Sequence, residues 1–189
     1  MPLTELEAQS ILEKLNIPKE DWISPKIEVR KSQLGGKGMF AKKPINEGKV
    51  VLRWGAKPGN VFSEEEIRTG KARKRSSIEI EEGIYLAGEA NVLAEDSDFL
   101  NHSCDSNLWM SDSVTLVARR NIKEGEEVTA DYALWQGDVI WVANWDCKCG
   151  QTVCRHKVTG KDWKLPKVQE RYKNHFSPFL NRRIERQRS

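Results

Sequence analysis

The stretch FLNHSCDSN, Phe99 to Asn107, places an amide, an imidazole and a thiol within four residues, in a chain with three His and four Cys. By itself it fits a Cys/His nucleophile pair, half of a metal site, or an Asn-x-Ser glycosylation sequon beginning at Asn101. The rest of the chain decides among these interpretations.

The composition is typical of a soluble globular protein, with 189 residues of which 38% are hydrophobic and 31% charged. The start, MPLTELEAQSILEKL, lacks the cationic end and apolar core of a signal peptide, and no apolar run approaches the roughly 18 residues of a membrane span. We therefore expect a cytoplasmic protein without membrane contact. That setting excludes glycosylation and turns the cysteines away from disulfides and toward metal binding or catalysis.

Charge is unevenly distributed along the chain. Residues 157–189 hold ten Lys and Arg against three Asp and Glu, a net +7, whereas the whole chain carries +3 and the remainder therefore −4. A solvated basic helical tail is the first interpretation, and contact with nucleic acid is the alternative. KARKR at 71–75 resembles a nuclear signal, so a nuclear or chromatin location is the alternative for a eukaryotic or host-acting protein.

Hydrophobic patterning predicts a β-dominated α+β domain with an inserted helix and a helical tail. Capping boxes start helices at Thr4 and Ser63, predicted over 4–16 and 63–75, and prolines start tail helices over 167–174 and from Pro178, with frayed last residues. Strands are predicted at 26–32, 50–54, 77–88, 113–122 and 126–132.

Three cysteines follow the last predicted strand with the spacing C-x-C-x4-C, at Cys147, Cys149 and Cys154. Two thiolates one residue apart, followed by a glycine, suit a tight turn around a tetrahedral zinc ion. The fourth ligand is either His156, which is local, or Cys104 in the opening stretch. Spacing alone leaves both open.

Four stretches in order, followed by this cysteine run, resemble the SET-domain protein lysine methyltransferases with a post-SET zinc segment. GGKGMFAKK (35–43) resembles the G-x-G motif, VVLRWG (50–55) the next strand, FLNHSCDSN the N-H-S-C signature, and EEVTADY (126–132) the E-L-T-x-D-Y motif. The resemblance covers roughly 26–156. It implies a SET fold of small curved β-sheets with a C-terminal segment threaded, knot-like, under a loop.

The same resemblance implies a division of the chain into four parts. They are an N-terminal helical extension (1–25), the SET domain (26–135, with an inserted helical region at about 57–92), the post-SET zinc segment (136–156) and a basic helical tail (157–189).

The activity that the resemblance implies is transfer of a methyl group from S-adenosylmethionine to the ε-amine of an exposed lysine in a protein substrate, such as a histone or another DNA-packaging protein. Tyr132 carries over as the catalytic tyrosine, next to the methyl group. The implied cofactor-binding residues are Gly36, Lys37, Gly38, Met39, Asn101, His102 and Tyr132. Asn101 and His102 would face the cofactor, while Cys104 would point away from it, to zinc. The alternative is a catalytically silent SET-like module that binds chromatin or nucleic acid.

The sequence departs from the family pattern at Ala130 and at Trp54. Ala130 stands where a Phe or Tyr often limits the number of methyl groups, so there is room for di- or trimethylation unless Trp109, Tyr85, Trp135 or a tail aromatic fills the space. Trp54 replaces the usual Tyr of the second motif. In the tail, Trp163, Tyr172 and Phe176 are candidates both for closing the site and for the core.

Overall fold

The computed structural model describes residues 2–73 and 76–188, and short strands in two sheets dominate this part of the chain. Its α-helices are α1 (Glu5–Lys14), α2 (Glu64–Thr69), α3 (Pro166–Arg171) and α4 (Pro178–Arg188). Its strands are β1 (Trp22–Ile23), β2 (Ile27–Lys31), β3 (Lys37–Ala41), β4 (Val50–Arg53), β5 (Val61–Ser63), β6 (Ile78–Glu81), β7 (Ile84–Leu86), β8 (Asn101–His102), β9 (Leu108–Met110), β10 (Thr115–Ala118) and β11 (Glu127–Ala130). None of the described helices is long and apolar enough to cross a membrane.

The larger sheet has the order β1-β4-β10-β9-β11-β3-β2, with β8 pairing β11 outside this path. Its strands are antiparallel to their neighbours except that β11 runs parallel to both β8 and β9. The predicted β-dominated α+β class is therefore confirmed. The knot-like threading implied by the resemblance stays a prediction.

The insertion differs from the helical region expected at about 57–92. It is a three-stranded antiparallel sheet, β5-β7-β6, with one helix of six residues. The capping box predicted at Ser63 is present, but the helix ends at Gly70, whose left-handed backbone (φ +82°) terminates it, and does not continue to residue 75. Lys74 and Arg75, part of the proposed nuclear signal, lie outside the described residues.

The N-terminal segment is bound tightly to the larger sheet. The predicted capping box of α1 is present, and Ala8 and Leu12 are buried. Beyond the helix, Gly55 donates its N–H to Asp21 at 2.6 Å, and a Cβ at Gly55 would stand 2.2 Å from the Glu20 backbone. Only a glycine permits this approach, which brings residues 19–21 beside Trp54.

The tail helices pack back onto the domain. Three residues of α4 are buried: Phe179, Leu180 and Ile184. The last residues were expected to fray, but the helix continues to Arg188. Arg182 and Arg183 form ion pairs with Glu81 and Glu82 of the inserted sheet. Part of the tail's positive charge therefore binds the domain itself, and nucleic-acid contact stays a prediction.

Glu79 lies at the meeting point of the inserted sheet, α4 and the segment after β11. Its carboxylate accepts N–H bonds from Gly83 (3.1 Å) and Gly137 (2.8 Å), and Arg183 lies 3.9 Å away. The side chain is only 2% exposed, and burial raises its pKa from 4.5 to about 7.

This shift predicts that stability falls as the pH rises from about 4.5 to 7. In that window the folded protein keeps a proton on Glu79 that the unfolded chain has lost, so each step upward in pH favours unfolding. Relative to Glu79→Gln, which does not titrate, the wild type should lose up to about 3 kcal/mol of unfolding free energy. Urea unfolding at pH 5, 6, 7 and 8 measures this; parallel curves for the two proteins would contradict it.

Candidate functional site

Strand β11 brings together stretches that lie far apart in the sequence. On one edge Thr129 and Ala130 pair with Asn101 and His102 of β8. On the other edge β11 pairs with β3, with Val128 opposite Met39. The glycine motif and the opening stretch therefore lie on opposite sides of one strand, directly before Tyr132.

The glycine motif and Asn101 form a close polar cluster. The Asn101 amide donates to the Lys37 carbonyl (3.0 Å) and to Glu127 (2.7 Å), whose carboxylate also accepts from Ser32. A Cβ at Gly38 would lie 2.2 Å from the Glu127 carboxylate, so this position has room only for glycine. A glycine is favoured at position 36 for another reason, because the backbone there is left-handed, with φ +54°.

Asn107, at the end of the opening stretch, was assigned no role from sequence. Its side chain donates to the Glu127 carbonyl (2.8 Å) and accepts from the Thr129 N–H (2.9 Å), both on β11. The amide thus completes the hydrogen bonding of β11 where no strand covers it. Asn is the side chain suited to this, because it donates and accepts at once.

Tyr132 follows β11 and is held at both ends. Its hydroxyl donates to the Leu100 carbonyl at 2.9 Å, and its backbone N–H donates to His102 Nδ1 at 3.2 Å. Burial raises the pKa of the phenol, so it stays protonated at neutral pH.

His102 and Cys104, to which the sequence analysis gave separate roles, lie in direct contact. Their side chains touch, with Nε2 of His102 3.3 Å from Sγ of Cys104. Burial lowers the pKa of His102 to about 4, so the ring is neutral. Because Nδ1 accepts the Tyr132 N–H, the proton of the neutral ring lies on Nε2 and is donated to the sulfur.

The four cysteines meet in one cluster, and their Sγ atoms all lie within 4.8 Å of one another. Cys104 and Cys147 are 3.8 Å apart, which is the sulfur–sulfur distance of about 3.8 Å in a tetrahedron with Zn–S bonds of 2.3 Å. The side chain of His156 is outside this group, and the exposed residue contributes backbone contacts: its carbonyl accepts the Cys147 N–H, and its N–H donates to Cys154 Sγ at 3.4 Å. The cluster of Cys104, Cys147, Cys149 and Cys154 therefore fits a zinc ion.

The four thiols differ in how readily they lose their protons. Burial raises the pKa of Cys104 to about 12 and raises that of Cys147 as well. At Cys149 burial acts in the same direction, but hydrogen bonds from backbone groups and neighbouring thiols outweigh it and lower the pKa to about 7. Four clustered thiolates repel one another, so a divalent cation is needed for all of them to be charged together.

A buried ion-pair network, not anticipated from the sequence, joins the cysteine cluster to the residue before Tyr132. The Arg155 guanidinium donates two hydrogen bonds to Asp131, at 2.6 and 2.7 Å, and a third to Asp162 at 2.7 Å. Asp131 is fully buried and also caps the turn at Ala133. Its pairing with Arg155 was not anticipated, because no local pattern links residues 24 apart.

Tyr132 lines a cavity of about 320 Å³ together with Leu100 and the rings of Trp54, Trp135 and Trp141. Trp135 stands 5.3 Å from Tyr132 and 5.4 Å from Trp54, centroid to centroid. Of the rings named to fill the space beside Ala130, Trp135 lines this cavity, whereas Trp109 stacks on His175.

The tail aromatics belong to the core. Trp163, Tyr172 and Phe176 are at most 3% exposed and do not line the cavity. The additional ring near Tyr132 is Trp145, which the sequence reasoning missed; its centroid lies 6.2 Å from Tyr132 and 5.8 Å from His102. Trp145 lies two residues before Cys147, in the segment that carries the cysteines, and this position was the signal in the sequence that could have identified it.

The fold and this arrangement of motifs define a SET domain. The family model for the SET domain matches residues 36–133, and the chain belongs to that family. The chain is 30% identical over 159 residues to histone-lysine N-methyltransferase ASHH3 of Arabidopsis thaliana, a match covering 76% of this chain and 40% of that protein. It is 27% identical over 165 residues to histone-lysine N-methyltransferase ash1 of Drosophila melanogaster, covering 78% of this chain and 7% of that protein.

A similar fold is found in the crystal structure of Arabidopsis thaliana SUVH6, which was solved in complex with SAM. The TM-score is 0.57 at 21% identity, over 71% of this chain and 33% of that one. The chain thus spans less than half the length of these relatives.

The cysteine cluster predicts which residue completes a zinc site. Cys104→Ser should weaken zinc binding at least about tenfold, because a hydroxyl is a much poorer ligand than a thiolate. His156→Ala is the matched control and should keep one zinc per chain. Chelator competition and metal analysis measure both; full zinc affinity in Cys104→Ser would refute the four-cysteine site.

Proposed function

We propose that the protein is an S-adenosylmethionine-dependent protein lysine N-methyltransferase. The observation that carries this proposal is the position of Tyr132. Its ring lines the cavity, while its backbone bonds to His102 beside the Asn101–Gly38 cluster. A reaction between two bound partners needs such a residue between two sites, and the relatives named as histone-lysine N-methyltransferases support the same reading.

In this proposal the cofactor lies against the backbone of Gly36, Lys37, Gly38 and Met39, with Asn101, His102 and Tyr132 beside it. The backbone is accessible at Gly36 and Lys37, which are exposed, and an added Cβ at Gly36 would meet nothing within 4 Å. The Glu127 carboxylate next to Gly38 favours a cationic ligand there. S-adenosylmethionine supplies an electrophilic methyl group on a positively charged sulfur.

The target lysine would enter by the cavity beside Tyr132. Deprotonating a lysine with a reference pKa of about 10.4 costs roughly 4–5 kcal/mol of free energy near pH 7. The apolar walls of Trp54, Trp135 and Trp141 lower this cost, because they disfavour the charged amine. The Tyr132 hydroxyl, fixed by its bond to Leu100, keeps its lone pairs for orienting the amine.

The remaining parts of the chain take supporting roles in the proposal. Residues 26–135 form the catalytic SET unit with its inserted sheet. Residues 136–156 supply Cys147, Cys149 and Cys154, which hold the zinc ion together with Cys104. Residues 1–25 and 157–189 pack against this unit. Trp135 is the ring that restricts the space left by Ala130.

The charge around the cavity favours a basic protein substrate. Among the residues that the structure describes, five acidic side chains line it against three basic ones, and Lys57 and Arg73 are paired with Glu20 and Asp98. Glu89 and Glu95 are exposed on one rim. Histones and other DNA-packaging proteins carry lysines flanked by basic residues, and such a substrate places the enzyme at chromatin or its bacterial or viral equivalent. The acidic residues around the cavity are Glu20, Asp21, Glu89, Glu95 and Asp98.

Tyr132→Phe tests the reaction. Methyl transfer from labelled cofactor to a histone mixture should fall at least about 100-fold, since one positioned hydroxyl is worth that much in rate, while cofactor affinity stays within about threefold. Tyr85→Phe, a buried tyrosine away from the cavity, is the control and should remain active. Equal labelling by wild type and Tyr132→Phe would rule out the proposal, and absent cofactor binding would favour a silent module.

Reversing charge on the rim tests the substrate class. Glu89→Lys with Glu95→Lys should raise the KM for a lysine peptide with Arg neighbours by about tenfold at 0.15 M salt. A peptide with neutral neighbours should change little. Glu47→Lys with Glu124→Lys, two exposed acids elsewhere, is the matched control. If both double variants behave alike, the rim does not select basic substrates.

A further inference from the structure

We infer that His102 and Arg155 are positioning residues that connect the four-cysteine cluster to Tyr132, so that filling the metal site orders the proposed catalytic tyrosine. The inference rests on the proposed function for its kinetic part. Two residues make the connection independently, and both contact Cys104, His102 through its ring and Arg155 through its backbone N–H.

The first connection runs through the His102 ring. One nitrogen accepts the backbone N–H of Tyr132 at 3.2 Å, and the other donates to Cys104 Sγ at 3.3 Å. The ring is 5% exposed, so neither hydrogen bond has water as a ready substitute. A displaced Cys104 sulfur therefore leaves a buried N–H of His102 without a partner, and the ring can no longer hold the Tyr132 backbone in place.

The second connection runs through Arg155, which follows Cys154 directly. Its backbone N–H donates to Cys104 Sγ at 3.3 Å, and its guanidinium binds Asp131 through two nitrogens. Asp131 in turn caps the 3-10 turn that begins at Tyr132, through the Ala133 N–H at 3.0 Å. A bidentate pair fixes orientation as well as distance, so movement of Arg155 is passed on to this turn.

Both connections depend on the cysteines staying together. Cys104 and Cys147 are 43 residues apart, and the residues from 144 to 157 form no helix or strand of their own. A metal ion held by the four thiolates would add a direct link between this segment and Cys104. With the ion removed, Arg155 and the donors to Cys104 Sγ lose their common anchor.

Hydrogen exchange tests this connection without any reaction. Chelating the metal should increase exchange at least about tenfold in a peptide covering 131–136, and leave residues 27–31 of β2 unchanged. In Arg155→Ala, exchange at 131–136 should already be fast before chelation. Metal loss that leaves the exchange of 131–136 unaltered would overturn the inference.

Kinetics provide the second test. Arg155→Ala should lower kcat about 10- to 100-fold at unchanged metal content, with the cofactor Kd within about threefold, and Arg155→Lys should restore part of the loss. In a Tyr132→Phe background, Arg155→Ala should cost little more, because the residue acts through the tyrosine. Arg120→Ala, a surface arginine paired with Glu126, is the control.

The outcomes separate this inference from the proposed function. A wild type that methylates nothing defeats the proposed function, whereas the exchange measurement still decides the connection. If the wild type is active and the double variant loses the product of the Arg155→Ala and Tyr132→Phe losses, Arg155 does not act through the tyrosine. The positioning role is then refuted, and the proposed function stands.

Discussion

The double pairing of β11 is the constraint on which the site depends. One edge of this four-residue strand holds β3 and the other holds β8 and β9. Because β3 carries the glycine motif and β8 carries Asn101 and His102, the register of β11 sets the distance between the Lys37 carbonyl, Asn101 and Tyr132. Asn107 supports this register from the side, where its amide replaces a missing strand. A shift of one residue would turn every side chain of β11 to the opposite face.

Much of the secondary structure could be predicted from the sequence, because its signals are local. Capping boxes mark the starts of α1 and α2, and alternating apolar residues mark β2, β10 and β11. The end of α2 was also readable, since Gly70 is a common helix terminator, and the longer helix predicted there was wrong. Strands of two or three residues, such as β1 and β8, are too short to show a period.

The side-chain contacts at the site could not be predicted, because they depend on tertiary geometry. The family resemblance assigned His102 to the cofactor and Cys104 to zinc, and nothing in the sequence shows that the two side chains touch. However, β8 ends at His102 and the chain turns at Cys104, which brings the sulfur back to the ring. The Arg155–Asp131 pair and the position of Trp145 likewise join segments that have no common period. Family resemblance supplied the motifs but not these contacts.

The position of the first strands has a consequence for shortened forms of the protein. Strands β1 and β2 occupy the two edges of the larger sheet, and both precede residue 36, where the family match begins. A fragment limited to the matched region would lack both strands. The outer edges of β4 and β3 would then expose unpaired backbone N–H and C=O groups. Open edges of this kind pair with other copies of the chain, so the first thirty residues act as a guard against aggregation.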